Sequence, residues 1–189
     1  ISIIDTRTRN EKIKNFFINN KKNIAILISI IILLFFGYFA YDEIKKRNKA
    51  KLADQYNYLT ISFLSGNKTN IGTELIKIVE SKDKTYSPLA LYFLLDNNII
   101  NTKEKINKLF DILINDTNLE GEIKNLIIYK KALYNSDFET ENNLLKILNP
   151  IINSESMWKS HALFLMAEYF FSKSEKQKSK HFFEQIIDL

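Results

Sequence analysis

The chain has 189 residues, 46% of them hydrophobic and 26% charged, and a formal net charge of +5. Only 4 Gly and 2 Pro are present, too few for a sheet sandwich full of tight turns, so the composition points to an all-α fold. Cysteine is absent, which excludes disulfides, zinc–thiolate sites and thiol nucleophiles, and so few glycines exclude glycine-rich phosphate loops.

In chain order, the first element is a basic tail, residues 1–23, which carries Arg7, Arg9, Lys12, Lys14, Lys21 and Lys22. It opens on Ile1 rather than Met, so further residues are expected upstream. Residues 24–41 follow as Ile24-Ala-Ile-Leu-Ile-Ser-Ile-Ile-Ile-Leu-Leu-Phe-Phe-Gly-Tyr-Phe-Ala-Tyr41, with no charge. At about 1.5 Å per residue this run reaches roughly 27 Å, close to the hydrocarbon thickness of a bilayer. A buried core helix of that length would carry a polar face, and here only Ser29 interrupts the apolar run. A cleaved signal peptide would have a shorter apolar core with small residues before the cut, whereas bulky Tyr38 stands ahead of Ala40. We therefore expect an uncleaved transmembrane helix, with Tyr38 and Tyr41 at the interfacial belt.

Residues 42–52 read as a charged helical stalk that carries Lys45, Lys46, Arg47, Lys49 and Lys51. Six cations before the apolar run against five after it leave sidedness undecided by the positive-inside rule. The distribution of charge says more: residues 1–54 carry +6 and residues 55–189 carry −1. A nucleic-acid binder concentrates its cations on the folded domain, so the charge argues against nucleic acid. It favours anionic lipid headgroups as partners of the membrane flanks.

Residues 53–189 alternate apolar helical stretches with short polar breaks. Helix-start chemistry appears at Ser87-Pro88, and capping-box spacing at Asn101–Glu104, Thr117–Glu120 and Ser174–Gln177. Self-comparison places Tyr56, Leu59, Thr60, Phe63, Asn67, Gly72, Ile76 and Val79 over Leu163, Met166, Ala167, Phe170, Ser174, Ser179, Phe183 and Ile186. These offsets are those of the tetratricopeptide pattern, in which small residues let two helices approach and aromatics fill the space beside them. Repeat starts near Ala53, Ser87, Glu122 and Ser160 recur at intervals close to roughly 34 residues, the tetratricopeptide period. The expectation is about four helix pairs stacked as a right-handed superhelix, the first helices lining a concave groove.

The ordered set of motifs resembles the YfgM-like family, the ancillary Sec-translocon and cell-division-coordinator type of tetratricopeptide protein, in a form common in alphaproteobacteria. The resemblance rests on the tail Arg7–Phe17, on Lys21-Lys22 ahead of the anchor, on Asp54-Gln-Tyr56, on Asp116-Thr-Asn-Leu119 and on Trp158-Lys-Ser-His-Ala162. It implies a single-pass protein of the bacterial inner membrane with its N-terminus in the cytoplasm and its repeats in the periplasm. It also implies a chaperone-like or adaptor role, with translocon components, emerging secreted chains or periplasmic chaperones as partners.

No constellation of catalytic, cofactor-binding or metal-ligating residues emerges, and we expect no enzyme, cofactor or small-molecule substrate. His161 and His181 fall in different helices without the spacing of a helical metal site. Glu120/Glu122 and Glu139/Glu141 sit at helix starts, where acids complement the macrodipole. Lys130-Lys131 and Lys173, Lys176, Lys178 and Lys180 read as solvated faces, and Trp158 as a residue packed between adjacent repeats rather than an exposed anchor. The alternatives are a repeat subunit of another inner-membrane assembly, such as cytochrome biogenesis, or an accessory subunit of an enzyme complex.

Overall fold

The structure is a computed structural model that describes the backbone of residues 2–189 and the side chains of residues 9–189. Ile1 and the side chain of Arg7, counted above among the tail cations, lie outside the described residues. Among the described residues the chain is all-α, with nine α-helices, one π-helical turn and no strand. It divides into two compact units, Ile1–Lys51 and Leu52–Leu189.

The first unit holds α1 (Ser2–Asn19) and the beginning of α2 (Lys21–Leu64). The basic tail is thus helical, although its sequence alone had suggested only a polar segment. Asn20 is a turn between the two helices; its N–H donates to the Phe16 carbonyl at 3.0 Å and its own carbonyl accepts from Ile24 N–H at 2.9 Å. None of the apolar window of α2 is buried inside the protein, and the helix is long and apolar enough to cross a membrane. The residues of the expected stalk lie within α2, where Lys46–Asp42 and Arg47–Glu43 pair at 2.7 and 2.8 Å across one turn.

The second unit contains the last turns of α2, then α3 (Ile71–Glu80), α4 (Tyr86–Asp96), α5 (Lys103–Asp111) with a π-turn at Ile112–Asp116, α6 (Gly121–Asn135), α7 (Glu141–Ile152), α8 (Lys159–Ser172) and α9 (Lys176–Ile187). Helices α3, α5 and α7 are one-faced. They bury Ile71, Leu75, Ile78 and Val79, then Ile106, Leu109 and Phe110, then Leu144, Leu148 and Ile151, each set at helical spacing. Helices α4 and α8 are apolar nearly all round; α8 buries Ala162, Leu163, Leu165, Met166, Ala167 and Phe170. Such a helix has neighbours on several sides.

Two apolar clusters make the core. The first runs from Leu59 through Leu75, Leu91 and Phe110 to Ile127, and the second from Ile128 through Leu148 to Phe170. They meet on α6, where adjacent Ile127 and Ile128 serve one cluster each, and half-buried Ile114 packs against both. The small positions of the repeat alignment lie at close approaches. Ala167 and Ser179 are buried, and a Cβ on Gly72 would meet Ile99 Cγ2 at 2.8 Å.

Helix termini depart from the expected chemistry. Ser87 lies inside α4, not before it, and its hydroxyl donates to the Ile78 carbonyl at 2.7 Å, satisfying an end group of α3. The start of α4 is held instead by Asp83, whose Oδ1 accepts from the N–H groups of Thr85 and Tyr86 at 2.9 and 2.8 Å. No side-chain cap bond forms at Thr102, Glu120 or Glu175, the residues preceding α5, α6 and α9. Ser174 closes α8 rather than opening α9: its φ is 62°, and Glu175 N–H bonds back to the Phe170 carbonyl at 2.9 Å. This is the Schellman geometry usually given to glycine. The equivalent residue ending α2 is Gly66 (φ 92°), not its neighbour Asn67, so α2 stops one residue earlier than the alignment implied.

Candidate functional site

Aromatic contacts put the first helices of the pairs side by side within the second unit. Phe93 of α4 meets Tyr56 and Phe63 of α2 at 6.5 and 5.5 Å between ring centroids. Lys130 of α6 lies over the Tyr92 ring of α4 at 5.2 Å. Tyr129 of α6 stacks on Trp158 at 5.8 Å with 22° between planes. Trp158 therefore packs across two neighbouring pairs, and its ring also lies 5.1 Å from His161.

The outward surfaces of these helices carry large apolar residues. Tyr58, Ile61 and Leu64 are exposed on α2, Leu89 on α4, Ile123 and Leu133 on α6, and Phe164 and Phe171 on α8. On α8 the stripe is regular: Met157 (69% exposed, just before the helix), His161, Phe164 (49%), Glu168 and Phe171 (63%) recur at three- and four-residue steps. By contrast α3, α5 and α7 expose no large hydrophobic residue, and α9 exposes only Ile187, its last residue. A shallow cleft of about 230 Å³ opens between α6 and α8, lined by Tyr129, Ser160, His161, Phe164 and Ile186. Burial pushes the Tyr129 phenol above its ordinary range, so it remains neutral at physiological pH. Within the second unit the exposed charges on these helices are mostly acidic, Asp54 on α2, Asp96 on α4, Glu122 on α6 and Glu168 on α8 against Lys130 on α6.

A second concavity, of about 510 Å³, lies between α5, α6 and α7, away from the first-helix surface on which the sequence had focused. Its polar lining is largely self-satisfied. Asn107 and Asn135 exchange amide hydrogen bonds at 3.0 and 2.8 Å, and Lys131 pairs with Asp111 at 2.7 Å. Glu139 takes Lys103 at 2.7 Å and Asn143 at 2.8 Å. The Lys103 ammonium, and then the Asn143 amide, hold the Glu139 carboxyl below its usual range. These bonds fasten α5 and α7 to α6 and the turn after it, and leave few free groups for a ligand.

The residues singled out in the sequence fall as follows. His161 is on α8 within the aromatic group around Trp158, and His181 is on α9 beside Phe182 at 5.9 Å. Glu122 accepts from the Ser156 hydroxyl at 2.8 Å, and Glu141 pairs with Lys178 at 2.8 Å. Lys178, bridging Glu141 and Glu175, has its pKa pushed up to about 12 by those two carboxylates. Lys131 is only 15% exposed, so it belongs to the packing of α5 on α6 rather than to a solvated face. The stripes themselves were missed in the sequence. Their signal was present in α4 and α8, whose apolar residues occupy more of the helical circumference than burial against one partner requires. Comparisons with protein-family models, with curated proteins and with solved structures find no match.

Proposed function

We propose that the protein is a membrane-anchored, non-enzymatic scaffold that binds other protein chains. In this reading α2 crosses the bacterial inner membrane, with the N-terminal tail in the cytoplasm and the helix pairs on the periplasmic side. The pairs form a tetratricopeptide-like right-handed superhelix, and the first helices receive the partner. The observation that carries the reading is the asymmetry of the second unit: large apolar residues are exposed along α2, α4, α6 and α8, while α3, α5 and α7 expose none and α9 exposes only Ile187, its last residue. Exposed apolar stripes of this extent mark surfaces that bind protein. Large apolar side chains spaced along helices suit apolar, extended or helical segments of a partner.

The resemblance to the YfgM-like family supports placing this surface beside a protein translocon, where emerging chains are rich in uncovered apolar segments. The anchor would hold the stripes near such chains and replace a three-dimensional search by a high local concentration. Translocon components, emerging secreted chains and periplasmic chaperones are the proposed protein partners. Membrane lipids contact the anchor and its basic flanks.

Site-specific photo-crosslinking in native membranes tests the proposal. A photoreactive residue replacing Phe164 should capture translocon subunits or secreted chains, whereas one replacing Lys108, exposed on α5, should capture far less. Equal capture from both positions would reject the first-helix surface. Capture of subunits of another membrane assembly alone would reject the translocon assignment.

A further inference from the structure

The helical form of the basic tail puts together residues that are scattered in its sequence. On α1, Ile13, Phe16 and Phe17 stand at i, i+3 and i+4 and share one face; all three are exposed, and the two phenylalanine rings meet edge to face at 6.0 Å. At 100° per residue, Lys12 and Lys14 flank this arc on its two sides. Arg9, Lys21 and Lys22 add to them, and Glu11 is the sole acid in residues 9–23. An apolar arc edged by lysines fits the boundary between acyl chains and anionic headgroups, where the rings are buried while the lysine stems reach the phosphates.

Resting on the reading of α2 as a membrane anchor, we propose that the C-terminal half of α1 is a membrane-surface element. It docks its Ile13–Phe16–Phe17 face on an anionic leaflet at the point where α2 enters the bilayer. Two observations select a lipid surface as the occupant. The face is surrounded by positive charge that complements anionic headgroups. It also continues directly into the candidate span, since a single turn residue, Asn20, separates α1 from α2. If α1 simply extended α2 along the membrane normal, Phe16 would stand about 12 Å beyond Ile24. That distance exceeds the headgroup layer, roughly 5–8 Å per leaflet. Docking therefore bends the chain at Asn20, within the polar run Asn19–Asn23. There the Asn20 side chain already bonds the Phe16 carbonyl at 3.0 Å and offers the backbone an alternative to the helical ladder.

The test uses the full chain with Trp158→Phe, so that one new tryptophan reports alone. One variant adds Phe16→Trp and a second adds Phe35→Trp at the middle of the anchor. Each is reconstituted into vesicles of phosphatidylcholine alone, or of phosphatidylcholine mixed with phosphatidylglycerol. The expected result for Phe16→Trp is a blue shift in emission and a several-fold loss of acrylamide quenching in the anionic vesicles only. Replacing Lys12 and Lys14 with Gln should remove that difference. Phe35→Trp should be shielded in both lipids. If Phe35→Trp is shielded while Phe16→Trp stays water-exposed in anionic vesicles, the docking is overturned and the anchor stands. Equal shielding of Phe16→Trp in both lipids overturns the requirement for anionic lipid. Exposure of Phe35→Trp in both overturns the anchor and this inference with it.

Discussion

At Tyr92 the structure holds a buried phenolic oxygen with no hydrogen-bond partner. Burial, and then the neighbouring Asp96 carboxylate, push its pKa up to about 12. The folded pKa is raised above the unfolded one, so stability does not depend on the ionisation of this group below about pH 10. It falls as the pH rises from there toward 12, because the unfolded chain ionises first. Removing the hydroxyl removes an unpaid desolvation cost while the ring keeps its place under Lys130. Tyr92→Phe should therefore stabilise the protein by about 1 kcal/mol, read as a higher midpoint in thermal denaturation followed by circular dichroism. Gly72 makes the opposite case. A Val there would drive its Cβ into Ile99, and β-branching at Ile99 limits escape. Gly72→Val should cost about 1–3 kcal/mol despite the gain in helix propensity, and an unchanged midpoint would contradict the close approach. The requirement for a small residue at this position was legible from the repeat offsets. The partner that enforces it, Ile99 in the loop after α4, was not, because contact between segments leaves no local signature.

Helix terminations show the same division. Apolar spacing was enough to find the helical stretches, and the starts of α4, α6 and α8 at Tyr86, Gly121 and Lys159 lie next to the repeat starts read from sequence. Caps were misread, because Ser, Thr, Asn and Asp bond with several local partners and tertiary packing decides among them. Ser87 went to α3, Asp83 took over the cap of α4, and Ser174 became a left-handed terminator. A non-glycine residue in that conformation costs about 1 kcal/mol relative to glycine. Ser174→Gly should thus raise the stability by about that amount, while Gly66→Ala (φ 92°) should lower it comparably. Denaturant titrations of the two variants check the pair, and shifts of the same sign would contradict the assigned terminations. The π-turn at Ile112–Asp116 had no sequence counterpart either. Its wider turn follows α5 at the edge of the α5–α7 concavity, where Ile114 joins both core clusters.

On the scale of the whole molecule, composition and the uncharged run from Ile24 to Tyr41 were enough to separate an apolar N-terminal helix from a folded helical unit. The apolar stripes were harder to see, since sequence shows which residues are apolar but not which apolar residues remain uncovered after packing. The cations flanking the apolar run nearly balance, six before it and five after. The proposed topology puts residues 1–23 in the cytoplasm and residues 52–189 outside, so the five cations from Lys45 to Lys51 must cross during insertion. Asp42 and Glu43, each paired one turn away, neutralise part of that cluster. Protease added to intact spheroplasts tests this arrangement most directly, with an antibody against the C-terminal unit as the readout. The proposed topology predicts that residues 52–189 are degraded before lysis while a cytoplasmic marker stays whole; survival of the unit until the membrane is opened would place it in the cytoplasm and contradict a scaffold for emerging chains.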